Sequence, residues 1–133
     1  MTTGNETVNC SCSEAPKLIF ACSGAADVGQ VADLAARKLT AEGVGKMFCL
    51  AGIGGRVSGI LETTRAAEAI LAIDGCPLDC ARNSLKHAGF TNIHSIRLSD
   101  MQMEKGRTPP SRENVDKVVQ QGRDCLGRLV QSP

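Results

Sequence analysis

Residues 69–89 read AILAIDGCPLDCARNSLKHAG. The stretch from Ala69 to Ile73 is apolar without alternation, and Asp74 closes it. A short continuous apolar run of this kind predicts a strand buried on both faces. Gly75 then lets the backbone turn sharply at little steric cost. Pro77 suits the first position of a helix and Gly89 its stop, so a helix is predicted between them with Cys76 at the cap. Strand, tight turn and helix in succession is the repeating unit of a parallel sheet.

The same unit recurs along the chain. KLIFAC (17–22) is a short apolar run ending at Ser23-Gly24. Behind it Val28, Val31, Leu34, Ala35 and Leu39 recur at helical spacing, and Gly43 ends that helix. KMFCLAGIGG (46–55) reads as a second strand running into a glycine-rich loop. VSGILETTRAAE (57–68) is a weaker helix, because Gly59 and two threonines lower its propensity. IHSIRL (93–98) is a fourth strand, followed by a loop over SDMQMEKGRTPP (99–110). Ser111 caps a final helix with Val115, Val118, Val119 and Leu126 on one face. Alternation of this kind predicts a single α/β domain over 17–133. Its sheet has four parallel strands in the order 2-1-3-4, with helices on both faces, as in flavodoxin-like topology. Residues 1–16 are polar and aperiodic and read as a flexible tail that carries Cys10-Ser11-Cys12.

Composition narrows the function. The 133 residues carry a formal net charge of +1, with acids and bases interspersed. There is no basic footprint for nucleic acid and no polybasic membrane patch. Trp and Tyr are absent and Phe occurs three times, so platforms for stacking bases are lacking. No run approaches the roughly 20 apolar residues of a membrane span. The first residues lack the basic and apolar regions of a secretory signal. Seven cysteines in such a chain fit a reducing compartment, the cytoplasm, where thiols serve as metal ligands or reactive groups.

The predicted fold gathers four of those cysteines. Cys22 ends the first strand, Cys49 lies near the end of the second, Cys76 follows the third by two residues, and Cys80 sits in the next helix. In a parallel sheet these positions share the carboxyl edge, where open α/β sheets bind ligands. Cys76 and Cys80 would sit at a helix N-terminus, which favours thiolates. Asp74 is a candidate to orient the site by accepting hydrogen bonds from loop amides. Four converging thiolates read as a tetrahedral zinc site. An iron–sulfur cluster would also take four cysteines, but none of the usual cluster spacings is present. The alternative is a sulfur carrier or redox relay, in which a core thiolate bears persulfide or cycles through a disulfide, with Cys10 and Cys12 as mobile exchange partners. A protein partner is compatible with either reading.

Other chemistries find less support. CSGAADVGQ (22–30) has a loop and helix start, but the phosphatase pattern needs arginine at the sixth position after the cysteine, and Val28 stands there. Gly24 and Gly29 read as turn and packing glycines. GIGG (52–55) is not a dinucleotide fingerprint. His87 and His94 fall at the opposite end of the sheet. Met101 and Met103 read as loop packing, and Cys125 as core. No conventional enzyme is expected.

The motifs ACSGAADVGQVADLAARKL, MFCLAGIGG and LAIDGCPLDCA, in that order, resemble the DGC-domain family, named for its Asp-Gly-Cys motif. The resemblance runs from about Lys17 to the final helix. It implies zinc held by four shared cysteines, which fall at Cys22, Cys49, Cys76 and Cys80. Cys10, Cys12 and Cys125 lie outside that pattern, and the resemblance names no reaction.

Overall fold

The computed structural model describes residues 15–131, with side chains to residue 127. Its elements are β1 (Lys17–Ala21), α1 (Asp27–Ala41), β2 (Lys46–Met47), α2 (Leu50–Gly54), α3 (Ser58–Arg65), β3 (Ala69–Asp74), α4 (Cys80–His87), β4 (Ile93–Arg97) and α5 (Arg112–Gln131). A short 3-10 turn spans Leu98–Met101. The strands form one parallel sheet in the order β2-β1-β3-β4, as the alternation predicts.

The two central strands divide their side chains between two cores. From β1 and β3, Ile19, Ala21, Leu71 and Ile73 face one way, onto Val31, Ala35 and Leu39 of α1 and Val118 and Leu126 of α5. Leu18, Phe20, Ile70 and Ala72 face the other, onto Ile53 of α2 and Ala81 and Leu85 of α4. The period of two along each strand thus buries both faces, which is why the sequence shows no polar alternation. On the second face Phe48 meets Phe20 edge-on, with ring centroids 6.1 Å apart.

Two predictions about local structure are corrected. The second strand is only Lys46–Met47, and part of the expected glycine-rich loop is helical, as α2. Its close packing explains the glycine: a Cβ at Gly52 would lie 2.1 Å from Cδ1 of Ile60. The third predicted helix does not begin at Pro77. Cys76 and Asp79 instead close a turn through a 3.2 Å bond from the Asp79 amide to the Cys76 carbonyl. Asp79 caps α4 in a left-handed conformation, φ 55°, and Cys80 is the first helical residue.

Other expectations hold. Gly43 takes φ 77° just beyond α1. The Ser111 hydroxyl accepts from the Asn114 amide at 3.2 Å, as a helix cap does. Met103 is buried and Met101 and Cys125 pack against the first core. Gly29 is a packing glycine: a Cβ there would lie 2.5 Å from the Gly24 carbonyl oxygen. Cys10 and Cys12 lie outside the described residues.

Candidate functional site

Backbone ladders position the first of the four cysteines. The Cys22 amide donates to the Ile73 carbonyl at 3.0 Å, extending β1 one residue along β3. Its side chain is half-buried at the carboxyl edge, against both cores. Cys49 follows β2, which is held by the Phe48 amide on Ile19 and by the Met47 amide on the Thr40 hydroxyl. It is the exposed cap of α2 and makes no side-chain capping bond. Cys76 is half-buried in the turn after β3, and Cys80 is exposed at the start of α4.

Three of the four line one cleft. Cys22, Cys76 and Cys80 border a cavity of about 280 Å3 with Val28, Leu78 and Lys105 among its other walls. Cys49 lies in the neighbouring cleft, of about 820 Å3, which it shares with Cys22, Asp33 and Arg37. Cys22 is therefore common to both. Among the described residues, no three His, Cys, Asp or Glu side chains stand close enough together to hold a metal ion as they are. An all-thiol donor set suits zinc in kind. In position it is open, and a metal would require the cysteines to draw together. His87 ends α4 and His94 sits opposite Leu71, away from the carboxyl edge, and neither lines these clefts.

Asp74 does accept amides, but not those of a loop. Its Oδ1 takes the Ala81 amide at 2.7 Å and its Oδ2 the Arg82 amide at 3.0 Å. Those are N-terminal groups of α4 that no helical carbonyl can satisfy. The helix end thus receives a carboxylate from the strand, and Cys80 stands beside it as the first helical residue. Burial pushes the Asp74 carboxyl above its ordinary value, and the Ala81 and Arg82 amides oppose that rise. Gly75 also has a different part from the one expected. Its φ is not left-handed, and its missing Cβ makes room for Val28, whose Cγ2 would be 2.8 Å away.

Several residues around the site have no local sequence signal. Arg97 pairs with Asp79 through two bonds, tying β4 to the start of α4. Asp27 accepts the amides of Gly106 and Thr108, both at 2.9 Å, and of Val28 at 2.8 Å. The Gly106 and Thr108 bonds hold its carboxyl below the ordinary range. They also fix the loop that carries Lys105 over the smaller cleft. An acid in the first turn of α1 is the only hint of this.

A model of the DGC domain matches residues 18–122. This chain belongs to the DGC-domain family. The DGC-domain chain is also 37% identical over 89 residues to the anaerobic and virulence modulator AnvM of Pseudomonas aeruginosa, covering 66% of this chain and 67% of that protein. No solved structure matches it. The family's Asp-Gly-Cys motif is Asp74-Gly75-Cys76 here. In the fold the three have separate tasks: capping α4, admitting Val28, and presenting a thiol to the cleft.

Proposed function

We propose that this DGC-domain protein is a small cytoplasmic metal-binding module that takes zinc through its cysteines at the carboxyl edge of the sheet. The observation that carries the reading is that Cys22, Cys76 and Cys80 border one cleft, with Cys49 next door across Cys22. On this reading Cys22, Cys76 and Cys80 are the primary donors and Cys49 completes the set. Binding draws an open arrangement closed, so metal affinity is coupled to local ordering of the turn at residues 76–79. Four thiolates leave zinc no open position, which suits a structural or regulatory ion more than hydrolysis. A relative named as a modulator supports a regulatory task rather than turnover.

Metal analysis of protein purified without oxygen tests the proposal. Stoichiometric zinc is expected, lost when Cys22, Cys76 or Cys80 becomes serine and kept when Cys125 does. Cobalt should give the absorption of tetrahedral thiolate coordination. A protein that neither retains zinc nor takes it up when offered would defeat the reading.

The exposure of Cys49 and Cys80 favours a second reading, sulfur transfer. A cysteine thiolate would take the outer sulfur of a donor persulfide and release the donor as a thiol. Mass spectrometry of donor-treated, metal-free protein separates the two, because a carrier must gain sulfur on one of the four cysteines and pass it to an acceptor.

A further inference from the structure

The smaller cleft has the composition of a ligand site as well as that of a thiol cluster. Its walls include Ala25, Ala26, Val28 and Leu78, and apolar walls with a few placed polar groups are what small-molecule sites present. At about 280 Å3 it falls just below the roughly 300 Å3 where drug-sized sites begin, which suits a smaller ligand. Leu78, 66% exposed, borders it and adds apolar surface that a ligand could cover.

Charge in the two clefts is arranged differently. In the larger one Arg37 donates to Asp33 at 2.7 Å, so the cation there is offset by its neighbour. In the smaller one the two charged lining residues are Asp74 and Lys105. Both oxygens of Asp74 are already taken by the α4 amides. Lys105 makes no salt bridge among the described residues. Its backbone is nevertheless fixed, because the amide of the next residue, Gly106, is one of those bound by Asp27. Lys105 is the exposed charge of the lining and Asp74 is buried, so a ligand entering beside the three cysteines and the apolar wall meets a cation first, which favours negative charge.

We propose that the smaller cleft is a site for small anionic organosulfur compounds, with Lys105 selecting their charge and Cys22, Cys76 or Cys80 bonding their sulfur. For a disulfide ligand, a cysteine thiolate attacks one ligand sulfur. The new protein–ligand S–S bond forms as the ligand's own S–S bond breaks, and the departing half leaves as a thiolate with the electron pair. The ligand is thus both substrate and oxidant. This goes beyond metal binding and does not depend on it.

Three aliphatic disulfides of different charge provide the probes: dianionic dithiodipropionate, neutral bis(2-hydroxyethyl) disulfide and dicationic cystamine. Reduced, chelator-treated full-length protein is reacted with each, and the modified cysteines are located and timed by peptide mass spectrometry. At Cys22, Cys76 or Cys80 the ratio of dianion to dication rates should fall about tenfold in Lys105→Glu and be kept in Lys105→Arg. Cys49, in the other cleft, is the internal control and should not follow. Asp27→Asn, which weakens the anchor of the loop, should lower the ratio with Lys105 still present. An unchanged ratio in Lys105→Glu, or an equal change at Cys49, overturns the proposal. Zinc uptake without a charge preference would leave the metal reading standing alone, and a charge preference without zinc uptake would leave only this one.

Discussion

Arg97 holds Asp79 with two parallel hydrogen bonds, Nε to Oδ1 at 2.8 Å and a terminal nitrogen to Oδ2 at 2.6 Å. The pair joins the end of β4 to the residue that starts α4. Bidentate geometry of this kind is the strong form of an arginine–carboxylate bond. It also explains how a non-glycine residue is kept at φ 55°.

Substitutions at Asp79 should therefore separate the bond from the backbone. Asp79→Ala loses the arginine and places an alanine in the left-handed region. Asp79→Gly loses the arginine but suits the backbone, so it should be the more stable by about 1 kcal/mol. Urea melts of the two proteins check the order. Equal stability would mean that the left-handed conformation costs nothing here.

Asp74 offers a second test, in pH. Its folded value is raised, so the native state binds this proton more tightly than the unfolded chain does. The stabilisation is fully present below the unfolded value near 3.8 and is lost as pH rises through the folded value. Subtracting the pH profile of Asp74→Asn from that of the parent should reveal a slope of this sign just above pH 3.8. A slope of opposite sign would mean that the two amides outweigh burial. Asp74→Ala should cost about 2–4 kcal/mol at neutral pH, because two helix-end amides lose their acceptor.

Glycines around the site divide into those that admit a neighbour and those that do not. A Cβ at Gly75 would lie 2.9 Å from the backbone carbon of Val28, and one at Gly29 would lie 2.6 Å from the Gly24 nitrogen. Alanine at either should destabilise the protein by about 1–3 kcal/mol. Gly59 in α3 has open space around it, and alanine there should stabilise by about 0.5–1 kcal/mol. Thermal melts of the three variants should show opposite signs.

Zinc affinity should be graded across the cysteines. Cys22 lines both clefts, and its serine variant should lose most. Cys49 lines only the larger one, and its variant should lose least. Competition with a chromophoric chelator measures the series. A Cys49→Ser protein as impaired as Cys22→Ser would defeat the grading.

The sheet and its cysteine edge were legible because they depend on period and order. Apolar runs of strand length separated by helical spacing fix the alternation, and the alternation puts Cys22, Cys49 and Cys76 at one end. The start of α4 was not legible. Pro77 is a good first helical residue locally, but the amides that begin the helix are those Asp74 can reach across the turn. Helix α2 was hidden by glycines that read as loop, although Gly52 is there to admit Ile60. Arg97–Asp79 and the Asp27 anchor join residues far apart in the chain, and no periodicity marks such pairs.

Because Cys22 borders both cavities, a covalent change at that one residue alters a wall of each. A covalent adduct on Cys22 directed into one side withdraws that thiol from the other. For occupants that both need the Cys22 thiol, the DGC edge would then be an exclusive choice, and each would register as an inhibitor of the other.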